Sequence, residues 1–166
     1  MERSDTRVID LVPALMKLKN ILVPVDFSPS SDKALTYAVC FAEQFGAKVT
    51  VLNIVEPAVY PTDLGYVPVE IDSLHQAMQN SARQKLADIA TKRIPGRFRA
   101  NALVRVGRPH REITKAAEEL RSDLIVIATH GYTGLKHAVM GSTAERVVRH
   151  APCPVLTVRQ REHDFV

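Results

Sequence analysis

"KNILVPVDFSPSSDKALTYAVCFAEQFGAKVTVLNIV", residues 19–55, decides the fold. Lys19 to Asp26 is a continuous apolar run ending in an acid, the pattern of a strand buried on both faces. Ser28 is suited to cap a helix and Pro29 to enter its first turn; Ala34, Leu35, Ala38, Val39, Ala42 and Phe45 then recur at helical spacing until Gly46 stops the helix. Lys48 to Val55 is a second β-branched run. Strand, helix and strand in that order predict a parallel pair with a right-handed crossover.

Outward from this unit the alternation continues. "EPAVYPTDLGYVPVEID", residues 56–72, holds three prolines and a glycine without a stable period and is expected to be a long loop. "SLHQAMQNSARQKLADIATKR" reads as a helix ended by "IPGR", "RANALVRV" as a third strand, and "GRPHREITKAAEELRSD" as a short helix after a Gly107-Arg108-Pro109 turn. "LIVIA" supplies a fourth strand, Ser142 to about His150 a helix and "CPVLTV" a fifth strand. The expectation is one α/β domain over residues 19–160 with an essentially parallel sheet, an extension over 1–18 and a tail over 161–166.

In an open parallel sheet, ligands collect beyond the carboxyl ends of the strands, where the strand order reverses. Those ends are Pro24 to Ser28, Asn53 to Glu56, Val106 to Pro109 and Ala128 to Gly134. The last opens the loop "ATHGYTGLKHAVMGST", Ala128 to Thr143. Gly131 and Gly134 allow close backbone approach, and Gly141, Ser142 and Thr143 set amides and hydroxyls at a helix start that favours an anion. The same residues have a plainer reading, since Ser142 with Glu145 three positions on spells a capping box. Asp26 is placed to bind a ribose hydroxyl or to hold Mg²⁺ through water, or else to accept from nearby backbone amides; His130 is a phosphate contact, a proton shuttle or a hydrogen-bonded loop anchor.

Several classes lose support. There is no G-x-G-x-x-G after the first strand, no G-x-x-x-x-G-K-[ST] and no G-x-S-x-G. His110, His137 and His150 lack zinc spacing. The 22 Lys and Arg are scattered, the formal charge is +4 and aromatic residues are 5%, which argues against a nucleic-acid partner. No apolar run approaches a bilayer span and the first twenty residues read poorly as a signal peptide, so a cytoplasmic location without membrane attachment is expected. Cys40 and Cys153 are expected to be reduced core residues.

Taken together, "NILVPVDFSPSSDKAL", "VTVLNIVEP", "VRVGRP" and "SDLIVIATHGYTGLKHAVMGSTAERVVRHAPCPVLTV" closely resemble the universal stress protein family over about residues 18–160. The family's ATP-loop pattern of glycine, two residues, glycine, nine residues, glycine and Ser or Thr falls on Ala128, Gly131, Gly141, Ser142 and Thr143, with alanine in place of the first glycine. The resemblance implies a Rossmann-like, adenine nucleotide alpha hydrolase-like fold, an open five-stranded parallel sheet in the order 3-2-1-4-5. It implies ATP as ligand, with Mg²⁺ entering only through the carboxylate of Asp26, and a homodimer through the last strand, Pro154 to Val158. Carried over by position, Pro24, Val25, Asp26 and Ile54 contact the nucleoside, Gly107 borders adenine or ribose, Ala128, Thr129, His130 and Gly131 meet the ribose and α-phosphate, and Gly141, Ser142 and Thr143 hold the phosphate chain. No residue is placed by sequence as a general base for water, so an ATP-binding regulator is expected rather than an enzyme. A weak Mg-dependent ATPase and a nucleotide-free interaction module are the alternatives.

Overall fold

A computed structural model of the chain describes residues 17–57, 70–98, 100–130 and 140–160. In chain order the elements are β1 (Asn20–Pro24), α1 (Pro29–Phe45), β2 (Lys48–Val55), α2 (Glu70–Lys92), β3 (Asn101–Val106), α3 (Pro109–Glu119), β4 (Leu124–Ala128), α4 (Ser142–His150) and β5 (Val155–Val158), with one 3-10 turn at Gly96–Phe98. The strands form a single sheet ordered β3-β2-β1-β4-β5, and every neighbouring pair is parallel. The order runs outward from β1 in both directions, so the switch point lies between β1 and β4.

Strand periodicity sends alternate side chains to opposite faces. Ile21 and Val23 of β1, Val49 and Val51 of β2 and Val126 of β4 join Ala34, Leu35 and Ala38 of α1 and Leu86 of α2 in one buried cluster. Leu22, Leu52, Ile125 and Ile127 join Ile113, Ala116 and Ala117 of α3 and Ala144 and Val147 of α4 in the other. Each fully buried Leu, Ile or Val contributes about 1.5–3 kcal/mol. A sheet covered on both faces is why β1, β2 and β4 read as unbroken apolar runs.

Helix ends follow their residues. Ser28 caps α1, its Oγ accepting from the Ser31 amide at 3.2 Å, and Gly46 closes the helix in the left-handed conformation at φ 67°. Other boundaries move. The sheet assignment of β1 ends at Pro24, not Asp26, because the chain turns sharply at Phe27, φ 64°. The third strand starts at Asn101 and the fifth at Val155, each two residues later than its apolar run, and α2 begins at Glu70, inside the predicted loop. Cys40 and Cys153 are free thiols but only half-buried, which corrects their placement in the core. Burial and the charge of Asp123 push the Cys153 thiol up, which keeps it protonated.

At the amino ends of the strands, Asp123 ties β1 to β4. Its Oδ2 accepts from the amides of Lys19 and Asn20, each at 2.8 Å, and its own amide donates to the Asn20 carbonyl at 2.8 Å. Among the described residues, no helix is long and apolar enough to cross a membrane.

Candidate functional site

The carboxyl ends of β1 and β4 open into a cavity of about 320 Å³, within the range of small-molecule sites. On the β1 side the Val25 amide still reaches the Leu52 carbonyl at 2.8 Å, and then the chain turns. A positive φ on a bulky residue such as Phe27 costs of order 1–3 kcal/mol and persists only where packing dictates it. Here the ring packs on the α1–α2 core with the Lys85 ammonium 5.1 Å from its centroid. The turn brings Ser28 back to Asp26, whose Oδ1 accepts from the Ser28 amide at 3.1 Å and the Ser28 hydroxyl at 2.6 Å. Asp26 therefore does accept from a neighbouring amide, and this fixes its carboxyl group at the cavity wall.

On the β2 side, Asn53 donates from Nδ2 to the Val25 carbonyl at 2.8 Å, and Ile54 adds apolar wall. On the β4 side, Ala128 leads into Thr129, 2% exposed, whose amide bonds the Val158 carbonyl at 2.9 Å and whose Oγ1 lies 3.0 Å from His130 Nδ1. The described non-glycine residues with positive φ are Phe27 and Arg121, so Ala128 carries its methyl without backbone strain.

The start of α4 corrects one expectation. Gly141, φ −70°, occupies the N-cap position without any side-chain capping bond, and Ser142 is the first helical residue. Glu145 is turned the other way: its Oε1 receives Arg149 Nε at 3.1 Å and Nη2 at 2.9 Å. The capping box is therefore not formed. Gly141 is drawn in by its own amide, which bonds the Thr129 carbonyl at 2.7 Å. A Cβ at this position would stand 3.1 Å from that same oxygen. Ser142, Thr143 and Ala144 follow as cavity wall, and a helix's first amides have no acceptor within the helix. These amides and hydroxyls at the positive end of the helix suit an anion.

Pro24, Val25, Asp26, Ile54, Ala128, Thr129, His130, Gly141, Ser142 and Thr143 thus line one cavity. Gly107 does not line it. It sits at the end of β3, its amide on the Val55 carbonyl at 3.1 Å, with φ 150° and Glu112 Cγ 2.9 Å from where a Cβ would be. Gly131 and Gly134 lie outside the described residues. Ser31, Ile113, Ile127 and Ala144 also line the cavity and were not singled out from sequence. Helical spacing holds the signal for two of them: Ser31 is three residues past the Ser28 cap and Ile113 four past Pro109. Beside the cavity, partial burial together with the charges of Arg146, Arg111, His150 and Arg108 holds His110 below the usual histidine range.

A parallel five-stranded sheet with a cavity at its switch point, walled by the starts of α1, α3 and α4, defines a doubly wound α/β domain. Residues 17–159 match the model of the universal stress protein family, and the chain belongs to that family. It is 28% identical over 155 residues to a universal stress protein of Methanocaldococcus jannaschii, covering 86% of this chain and 96% of that one. It superposes with a TM-score of 0.71 on the universal stress protein UspA of Lactobacillus plantarum, 30% identical, over 87% of this chain and 99% of that one. A universal stress protein of Archaeoglobus fulgidus solved in complex with dAMP shares the fold, with a TM-score of 0.56 at 22% identity over 86% and 99% of the two chains.

Proposed function

We propose that the chain binds ATP in the β1–β4 cavity and acts as a cytoplasmic, homodimeric stress-response regulator rather than as an enzyme. The observation that carries this reading is the start of α4. With Gly141 at the N-cap and Glu145 turned to Arg149, α4 makes no side-chain capping bond in front of Ser142 and Thr143. Phosphates fit there, with Thr129 and His130 beside them. Val25 and Ile54 offer apolar surface to a base, and Asp26 offers a fixed carboxylate to a ribose hydroxyl. The dAMP complex of a protein with the same fold supports an adenine nucleotide as the ligand class.

Asp26 also fits Mg²⁺, which is commonly held by one or two carboxylates, water and the nucleotide's phosphates. The ion would offset phosphate charge. Turnover is slow at most on this reading, since Asp26 is engaged by Ser28 and His130 by Thr129, and aligned amides hold a bound ground state as readily as a transition state. Strand β5 is at the sheet edge, and pairing with a second copy along Pro154 to Val158 would cover it.

Mass spectrometry of small molecules released from freshly purified native protein, with a thermal-shift titration against ATP, tests the reading. An adenine nucleotide in the released fraction and a midpoint that rises with ATP are expected, because a ligand of the native state must stabilise it. No released nucleotide and an unmoved midpoint at millimolar ATP would overturn it.

A further inference from the structure

The phosphate and ribose assignments leave Ser31, Asn53 and Glu56 unused among the polar side chains of the cavity wall, and of these Asn53 carries an amide with one donor and one acceptor end. Asn53, in β2, is 8% exposed and lines the cavity among Pro24, Val25 and Ile54. Its orientation is fixed by chemistry. The Val25 carbonyl can only accept, so the nitrogen of the amide must face it, and Nδ2 does so at 2.8 Å. Rotating the amide would set Oδ1 against a second carbonyl oxygen.

Oδ1 receives no hydrogen bond from the described residues, yet no side-chain nitrogen or oxygen among them is both sealed off and unpartnered. An unpartnered atom of a nearly buried residue that is not sealed off must open onto the space which that residue lines, and here that space is the cavity. A fixed acceptor in the cavity wall favours a ligand that presents a donor to it and disfavours one that presents another acceptor.

We propose that Asn53 determines base specificity: its Oδ1 accepts a hydrogen bond from the exocyclic amino group of adenine and selects against 6-oxopurines. The proposal rests on the nucleotide-binding reading above. Adenine carries a donor at the 6-position, whereas hypoxanthine and guanine carry a carbonyl oxygen there, which would face Oδ1 acceptor to acceptor. Sites built to hydrogen-bond an N–H group reject analogues lacking it far more strongly than apolar pockets reject a change of size.

The test is calorimetric titration of the native chain with ATP and with inosine triphosphate, whose base carries a 6-oxo group and an N1–H in place of adenine's 6-amino group and N1 acceptor. Inosine triphosphate is expected to bind weaker by about tenfold or more. In Asn53→Leu, which keeps the side-chain size, ATP affinity falls and the two nucleotides converge to within about twofold. A role confined to holding the Val25 carbonyl would weaken both nucleotides alike and leave their ratio unchanged, and that result overturns the proposal. Equal affinities in the native chain overturn it while leaving ATP binding intact, and this arm does not depend on how the variant folds. Absence of binding by either nucleotide overturns both the functional reading and the role of Asn53.

Discussion

The Gly141 amide and the Thr129 carbonyl meet at 2.7 Å, between the end of β4 and the start of α4. Thr129 is itself pinned to β5 through its amide on Val158, so the carbonyl has little room to retreat. A Cβ on residue 141 would press on it from 3.1 Å, although φ there is an ordinary −70°. Gly141→Ala is therefore expected to lose about 1 kcal/mol in urea unfolding, the contact outweighing the entropy gained by removing a glycine. ATP affinity should fall with it, because the displaced residue is the N-cap of α4. A variant as stable as the parent with unchanged affinity would contradict this account.

Gly107 should be sensitive for a different reason. Its φ of 150° suits glycine, and a Cβ would come within 2.9 Å of Glu112 Cγ. Glu112 is held by Arg105 at 3.6 Å, and Arg105 also pairs with Glu119. Gly107→Ala is expected to cost about 2 kcal/mol in chemical denaturation. Adding Glu112→Ala should recover only part of that loss, since it removes the contact and not the backbone strain.

Asp123 lies at the other end of the sheet from the cavity. Asp123→Ala removes the acceptor shared by the Lys19 and Asn20 amides, for an expected loss of about 1–2 kcal/mol, allowing for its partial exposure. Nucleotide affinity should be unchanged at temperatures where the variant is folded. A large loss of affinity would show that the two ends of β1 are coupled.

His110 gives a pH signature. Partial burial, then Arg146, Arg111, His150 and Arg108, disfavour its imidazolium, so its folded pKa lies below its unfolded one. The unfolded chain then binds more protons in the interval between the two values, and stability rises with pH there. The contribution is fully present above the ordinary histidine pKa and is lost as pH falls through the folded value. Proton NMR titration should place the His110 midpoint below that of a histidine in a short peptide, and His110→Gln should flatten this part of the stability profile. A midpoint at or above the peptide value would contradict burial and the neighbouring cations as its causes.

Much of the fold is legible along the chain because its signals are local. The apolar runs of β1, β2 and β4, the Ser28 cap and the Gly46 stop each depend on neighbours within a few residues, and the structure keeps them. The edges of the sheet are less legible. β3 and β5 each start two residues late, because edge strands have a partner on one side only and the apolar pattern outlasts the pairing.

The site divides in the same way. The sequence by itself determined which residues stand at strand ends and helix starts, since periodicity and punctuation are properties of adjacent residues. Only the tertiary structure decided what those residues do there. Ser142 and Glu145 spell a capping box, yet the pull of Thr129 on Gly141 puts glycine at the cap and leaves Glu145 to Arg149. Gly107 stands near the cavity in sequence terms but is constrained by Glu112 instead. Asn53 becomes a directed acceptor through a bond to Val25, 28 residues away. Such contacts join segments that meet only after the sheet has assembled, so no window of the sequence contains both partners.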